Sequence, residues 1–404
     1  MRRLRHASTR RLTAIVAATA ALVLTAGIAQ ATLTGSGPVP APKALANAIL
    51  DAFNAPEPDG VTARIHFTNK LLASGSLPGG AASPLAAGAD GRLWIAKDGR
   101  FRLELQSDAG DAQIVSDGKV VTVYDSTSNT VYRVTLPEEA SKAAKPEDHE
   151  KLTLDKIQKT LDRLAKYWTV SGADPTSTAG QPTYTVRISP KDDGGLLGAA
   201  EVAWDAVRGA PLRAAVYAQG QSDPVLELKA DEISYGVVSD ADVSATPPAG
   251  AKVTDLSPKA AEQHSGAGKH KNGKHVEVTG VDAVQRSLDF KLAAPDELAG
   301  LPRKEIRLVD IDGEKGALSI YGEGMGAIAV FQHKAEKAEK TAAGEKKKGE
   351  GELRLPEINI DGATGSELAT ALGTVVTFER GGISYVVAGS VPPVAAENAA
   401  RGLK

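Results

Sequence analysis

Over residues 61–67 apolar and polar side chains alternate, with Val61, Ala63, Ile65 and Phe67 against Thr62, Arg64 and His66. A period of two predicts a strand with one buried face. The pattern returns in quick succession over residues 92–97, 101–106, 112–116, 119–125 and 130–136. Asp98-Gly99, Asp117-Gly118 and Ser128-Asn129 separate these runs. Asp-Gly between alternating strands signals a tight hairpin, so an antiparallel meander is expected. Two stretches carry a helical period instead. Residues 42–54 place Leu45, Ile49 and Phe53 on one face and stop at Pro56. Beyond a charged stretch at 138–150, Leu154, Ile157, Leu161 and Leu164 recur at three- and four-residue steps. Thr153 suits the N-cap of that helix and Asp155 its first turn. Strands resume over 168–172, 183–189, 200–205, 211–218 and 225–235. The Gly/Pro/Ala/Ser run at 74–89 is long enough for a flap.

A second block begins at Val276, after a Gly/Ser/Lys/His-rich linker at 257–275. Its expected strands cover 305–311, 317–321, 327–333, 355–360, 375–379 and 384–388, with Gly381-Gly382 turning the last pair. Ser366 is placed to cap a short helix to Leu372, and Pro392-Pro393 to start a final helix ending at Gly402. Residues 334–352, rich in Lys, Glu and Gly, read as a solvated or disordered insertion. The domain reading is therefore 1–31, 42–256, 257–275 and 276–404.

Composition narrows the function. The 404 residues exceed one ordinary domain, and 42% hydrophobic with 24% charged residues is a globular balance. Lys and Arg number 47 against 50 Asp and Glu, a net charge of -3, which argues against nucleic acid as the main partner. The absence of cysteine excludes disulfides, thiolate metal sites, a thiol nucleophile and a lipidated N-terminal Cys. Arg2, Arg3, Arg5, Arg10 and Arg11 precede the uncharged run Leu12 to Ala29, and Ala29-Gln30-Ala31 fits a cleavage site. Residues 1–31 read as a signal peptide or an uncleaved anchor, since the run approaches the shortest membrane span. Either reading puts the body of the protein outside the cytoplasm, secreted or attached to the outer face of the cytoplasmic membrane.

The motifs that carry chemistry are incomplete. Gly268 to Lys274 follows a phosphate loop until His275 replaces the hydroxyl residue that would ligate magnesium. His264, His270 and His275 share that linker without a scaffold to hold a metal. Gly322, Gly324 and Gly326 lie between two expected strands, so they read as a hairpin turn and not a dinucleotide loop. Asp310-x-Asp312-Gly313 and Asp361-Gly362 lack the calcium-loop spacing, and Asp192-Asp193 sits among glycines. Neither G-x-S-x-G nor H-E-x-x-H occurs. The expectation is a protein without catalytic residues, metal or cofactor.

The run Trp204-Asp205-x-x-x-Gly209-x-Pro211-Leu212-Arg213 reads as strand, turn, strand. Together with Asp231-Glu232-Ile233-Ser234-Tyr235 and the close Pro247-Pro248-Ala249-Gly250, it resembles the lipoprotein-carrier superfamily of LolA, LppX-like lipoproteins and RseB stress regulators. The resemblance covers roughly 42–256. Phe290 to Pro295 and Gly381 to Gly389 are similar to a domain attached to envelope-stress and sporulation regulators. The implied fold is α+β, a large antiparallel half-barrel sheet with helices on its concave face, plus a second, smaller α+β domain. The implied site is an apolar concavity for acyl chains. Its lining would come from Ile65, Phe67, Trp94, Phe101, Leu103 and Leu105 in the first meander and from Val121 and Val123 beyond it. Tyr184, Val186, Trp204 and Leu226 would supply the returning strands, alongside Ile188, Val202 and Leu228. The plain alternative is that these residues are core packed under the helices. The partners implied are a lipid or acylated protein, with a membrane transporter or an anti-sigma factor as protein partner and no nucleic acid.

Overall fold

The computed structural model describes residues 26–27, 37–72, 84–108, 110–136, 152–191, 195–244, 246, 248–255, 278–311, 314–335 and 355–404. Most of residues 1–31 and of the 74–89 run, the 138–150 stretch and Asp192-Asp193 lie outside the described residues. So do the linker 257–275 with its three histidines, Asp312-Gly313 and most of the 334–352 insertion. The chain divides into two compact units, the first carrying the elements up to residue 255 and the second those from residue 278.

The first unit is a 14-stranded sheet. Its elements begin with β1 (Ala26–Gly27), α1 (Leu45–Asn54), β2 (Gly60–Asn69), α2 (Pro84–Ala87) and β3 (Ala89–Ala96). Next come β4 (Phe101–Ser107), β5 (Gly110–Ser116), β6 (Val120–Asp125), β7 (Thr130–Thr135) and α3 (Leu154–Leu164). The unit ends with β8 (Trp168–Val170), β9 (Asp174–Thr178), β10 (Gln181–Pro190), β11 (Leu197–Asp205), β12 (Pro211–Ala218), β13 (Leu226–Tyr235) and β14 (Lys252–Asp255). The strand order is β1-β10-β11-β12-β13-β2-β3-β4-β5-β6-β7-β14, with β8 and β9 also pairing β10. Pairing is antiparallel except where β1 meets β10 and β14 meets β7. The sheet is thus a curled half-barrel made of two meanders, and β13 pairing with β2 joins them.

The expected turns form as their residues require. Gly99 and Gly118 both take φ +84°, which glycine adopts without penalty. Asp117 accepts the backbone N–H groups of Lys119 and Val120, and these bonds hold its carboxyl below the usual range. In α3, Thr153 accepts the N–H of Lys156 at 3.4 Å, as an N-cap should.

The 204–220 hairpin has a specific lock. Asp205 is fully buried and accepts the N–H groups of Val207 and Arg208 at 2.8 and 2.9 Å. Tyr235, from the end of β13, donates its hydroxyl to the same carboxylate at 2.7 Å. Burial and that bond both push the Tyr235 phenol up. Gly209 turns the chain at φ +69°, and a Cβ there would lie 2.2 Å from the Ala52 carbonyl oxygen of α1. The sequence resemblance therefore rests on residues that fix the turn against both a helix and a distant strand.

Several expectations change. In α1, Leu45 packs against the sheet as expected, together with Ala48 and Ala52, whereas Phe53 at the end of the helix is 72% exposed. Leu154 is exposed at the start of α3, where Ile157 is buried. β9 and β14 were not foreseen; Asp174-Pro175 and three hydroxyl-bearing residues mask β9 as a loop.

The second unit has α4 (Val281–Ser287), β15 (Glu297–Leu298), β16 (Leu301–Ile311), β17 (Glu314–Tyr321) and β18 (Ile328–Lys334). It continues with β19 (Glu357–Ile360), β20 (Ala363–Thr370), β21 (Gly373–Arg380), β22 (Ile383–Gly389) and α5 (Pro393–Gly402). An 8-stranded antiparallel sheet runs β15-β16-β17-β18-β22-β21-β20-β19. Ala396, Ala399 and Ala400 of α5, with Leu403 just past its end, pack on Val376, Phe378, Tyr385 and Val387. The helix expected from Ser366 to Leu372 is instead strand β20, paired with β19 and β21. Its Leu and Ala residues favour a helix locally, but pairing on both sides overrides that preference. Gly324–Gly326 forms a 3-10 turn between β17 and β18, as the hairpin reading required.

Gly209→Ala is expected to lower stability in urea by about 2–4 kcal/mol, through strain plus the clash with α1. Gly220→Ala, at φ +74° with open space around its Cβ, carries strain alone and is expected to cost about half of that. The difference between the two unfolding midpoints measures the contact with Ala52.

Candidate functional site: the concave face of the half-barrel

Residues paired across an antiparallel ladder point to the same side of the sheet. Tyr184 pairs Trp204 and Val186 pairs Val202 on β10–β11. Ala214 pairs Leu228 and Val216 pairs Leu226 on β12–β13, and Ala214 packs in the cluster of Trp204. Leu228 pairs Phe67, and Ala230 pairs Ile65. A bulge between Ala230 and Glu232 then brings Ile233 opposite Ala63, so both sides of the irregularity keep their apolar residues together. The face continues through Leu93 opposite Leu103, Gly91 opposite Leu105 and Ile95 opposite Phe101. It ends with Ile114 opposite Val123 and Ser116 opposite Val121.

Ile65, Phe67, Phe101, Leu103, Leu105, Val121, Val123, Tyr184, Val186, Trp204 and Leu226 therefore share one face. Trp94 does not. It pairs Thr62 and Arg102 on the opposite side, with the Arg102 guanidinium 5.4 Å from its ring centre. In Arg92-Leu-Trp-Ile-Ala96 apolar residues fall on both faces, so alternation alone does not choose between them. Leu93, Ile95, Ile114 and Val216 belong to the face and were missed; their signal was the same period of two.

Coverage of this face is uneven. At the β10–β11 end, Ala48 and Ala52 of α1 and Leu164 of α3 pack against Tyr184, Val186 and Trp204. Those three residues are core. The Tyr184 hydroxyl donates to Ala41 O at 2.6 Å, while the Trp204 indole N–H is buried without a partner. Ile65 and Leu105 are also buried, in a cluster with Leu212 and Ala230. Phe67, Phe101, Leu103, Val121, Val123 and Leu226 are only partly buried. Leu228, between Ala214 and Phe67, is 42% exposed. A leucine in the middle of an apolar face is thus left exposed.

The opposite face is charged. Glu201 accepts from Arg187 at 3.2 Å, Arg213 at 2.5 Å and the Tyr217 hydroxyl at 2.8 Å. Arg213 also reaches Glu227 at 2.6 Å. Burial pushes the Tyr217 phenol up to about 12. These groups satisfy one another, so they stabilise the sheet and offer no spare acid or base. Among the described residues, no group of three or more His, Asp or Glu is arranged to hold a metal ion. Among them, too, no helix is long and apolar enough to cross a membrane. What the arrangement supplies chemically is hydrocarbon surface on one side of a rigid ladder.

Comparison with known proteins adds the following. Residues 80–152 match a family described as predicted periplasmic protein (DUF2092). No curated protein matches. The chain is similar to the MucA/MucB complex structure of Pseudomonas aeruginosa at 13% identity, covering 88% of this chain and 95% of that one, with a TM-score of 0.38. It is similar to a putative outer membrane lipoprotein-sorting protein domain from Vibrio parahaemolyticus at 10% identity, covering 49% and 95%, with a TM-score of 0.23. A LolA superfamily protein from Nitrosomonas europaea aligns at 11% identity over 50% of this chain and 99% of that one, with a TM-score of 0.20.

Core and open positions separate by stability. Trp204→Ala is expected to cost about 3–5 kcal/mol, as for a buried large side chain. Leu228→Ala is expected to change stability by less than about 1 kcal/mol. Equal losses in urea unfolding would show that Leu228 is packed.

Proposed function

We propose that the first unit is an extracytoplasmic binding protein whose half-barrel shields an acyl chain, from a lipid or a lipid-modified protein. The observation that carries this reading is Leu228, exposed at the centre of an apolar face. Phe67 and Leu226 beside it remain only partly buried, as does Leu103 farther along the face. Burying one methylene is worth about 0.8 kcal/mol, so a sixteen-carbon chain gains on the order of 12 kcal/mol. A bilayer offers the same chain a similar gain. Exchange between membrane and protein is then close to thermoneutral, and a donor or acceptor sets its direction. Such a protein works by occupancy and needs no bond-making residue. The periplasmic description of the family matched at residues 80–152 supports the compartment.

The test is to export the full chain, purify it without detergent, extract it with organic solvent and analyse the extract by mass spectrometry. Wild type is expected to release an acyl lipid in a fixed ratio to protein. Leu228→Asp, at an exposed position, is expected to lose at least about ten-fold of it with an unchanged melting temperature. Lipid retained in full by Leu228→Asp would overturn the assignment of the site. A lipid-free wild type that captures a single-span membrane regulator would replace carriage by the sensing role of RseB-like proteins.

A further inference from the structure

Helix α3 has two unlike faces. Ile157, Leu161 and Leu164 turn inward. Away from them, Lys156, Lys159 and Arg163 of the helix and Lys166 in the turn just past its end recur at three- and four-residue steps, the spacing of a single helix face. With Leu152, Thr160 and Asp162 these cations line an open groove of about 710 Å3. At 1.5 Å per residue the row is roughly 15 Å long. Two acids share this side of the helix and leave the cations in excess: Asp155 pairs Lys159 at 2.7 Å, and Asp162, in the groove, accepts from Gln158 at 2.9 Å. Lys191 adds a further cation at the C-terminal end, where it donates to Ala165 O at 2.5 Å. Apolar side chains stand at both ends of the row, Leu152 38% and Tyr167 71% exposed.

We propose that this face of α3 docks the protein on an anionic membrane surface. A basic row flanked by an exposed leucine and tyrosine has the make-up of an interfacial helix. The cations take lipid phosphates, and the apolar ends reach the headgroup boundary. An acidic peptide would match the cations but leave Leu152 and Tyr167 in water. The surface uses no residue of the concave face, so it is independent of what that face holds.

The experiment is co-sedimentation of the full chain with vesicles of phosphatidylcholine, with and without about 30% phosphatidylglycerol. It compares wild type with Lys159→Glu/Arg163→Glu/Lys166→Glu, after circular dichroism has matched their folding. The leader is common to both proteins and cancels. Each cation near an anionic surface contributes about five-fold in affinity, so losing three costs about 100-fold, and the charge-reversed triple variant is expected to bind the anionic vesicles at least that much more weakly. About 0.5 M salt is expected to remove most of the wild-type preference. A wild type that binds both vesicles equally, or a triple variant that keeps the preference, would overturn the proposal. A triple variant that binds the anionic vesicles as wild type does but loses binding to immobilised polyglutamate would instead assign the face to an acidic protein.

Discussion

The pairing of β13 with β2 is the interaction on which the rest of the structure depends. Each meander alone is a local assembly of hairpins. Leu228 opposite Phe67 and Ala230 opposite Ile65 join the two into one continuous face across more than a hundred residues of intervening chain. A slip of one residue would send every apolar side chain of one meander to the charged side. The bulge after Ala230 bends the strand while keeping Ile233 in phase. Tyr235, at the end of the same strand, then closes on Asp205 and fixes the neighbouring hairpin. One strand thus sets register, curvature and turn.

That continuity creates more apolar surface than the helices cover. α1 packs through Leu45, Ala48 and Ala52, and Gly209 gives its carbonyl room. Among the described residues, the cover is tight over Tyr184, Val186 and Trp204, whereas Leu228 is exposed. On the reverse face, the Glu201–Arg187–Arg213–Tyr217 network meets its own hydrogen-bonding needs. The two faces thus divide the work. One holds the ladder rigid, and the other presents hydrocarbon with a gap in its cover.

Much of this was legible in the chain, and the exceptions have identifiable causes. Asp98-Gly99 and Asp117-Gly118 announced their hairpins because their backbone demand is local. The apolar face was readable from alternation in β2, β4, β6 and β10. Trp94 was misplaced because its strand is apolar on both faces, and only pairing to Arg102 decides its side. Phe53 was misread because a helical period locates a stripe without saying which stripe packs. The segment at Ser366 has helix-forming residues, yet its fate is set by β19 and β21 on either side. The division of the site into filled and open parts was beyond the sequence, since exposure depends on what covers each residue in space.

A single engineered thiol can interrogate the concavity, because the chain has no cysteine of its own. Leu228→Cys carries a polarity-sensitive fluorophore on the apolar face, and Glu232→Cys carries one on the charged face. Titrating a long-chain acyl lipid below its aggregation concentration should shift the emission of the first to the blue, saturably, and leave the second unchanged. No shift at residue 228, or equal shifts at both positions, would contradict an acyl site on the concave face.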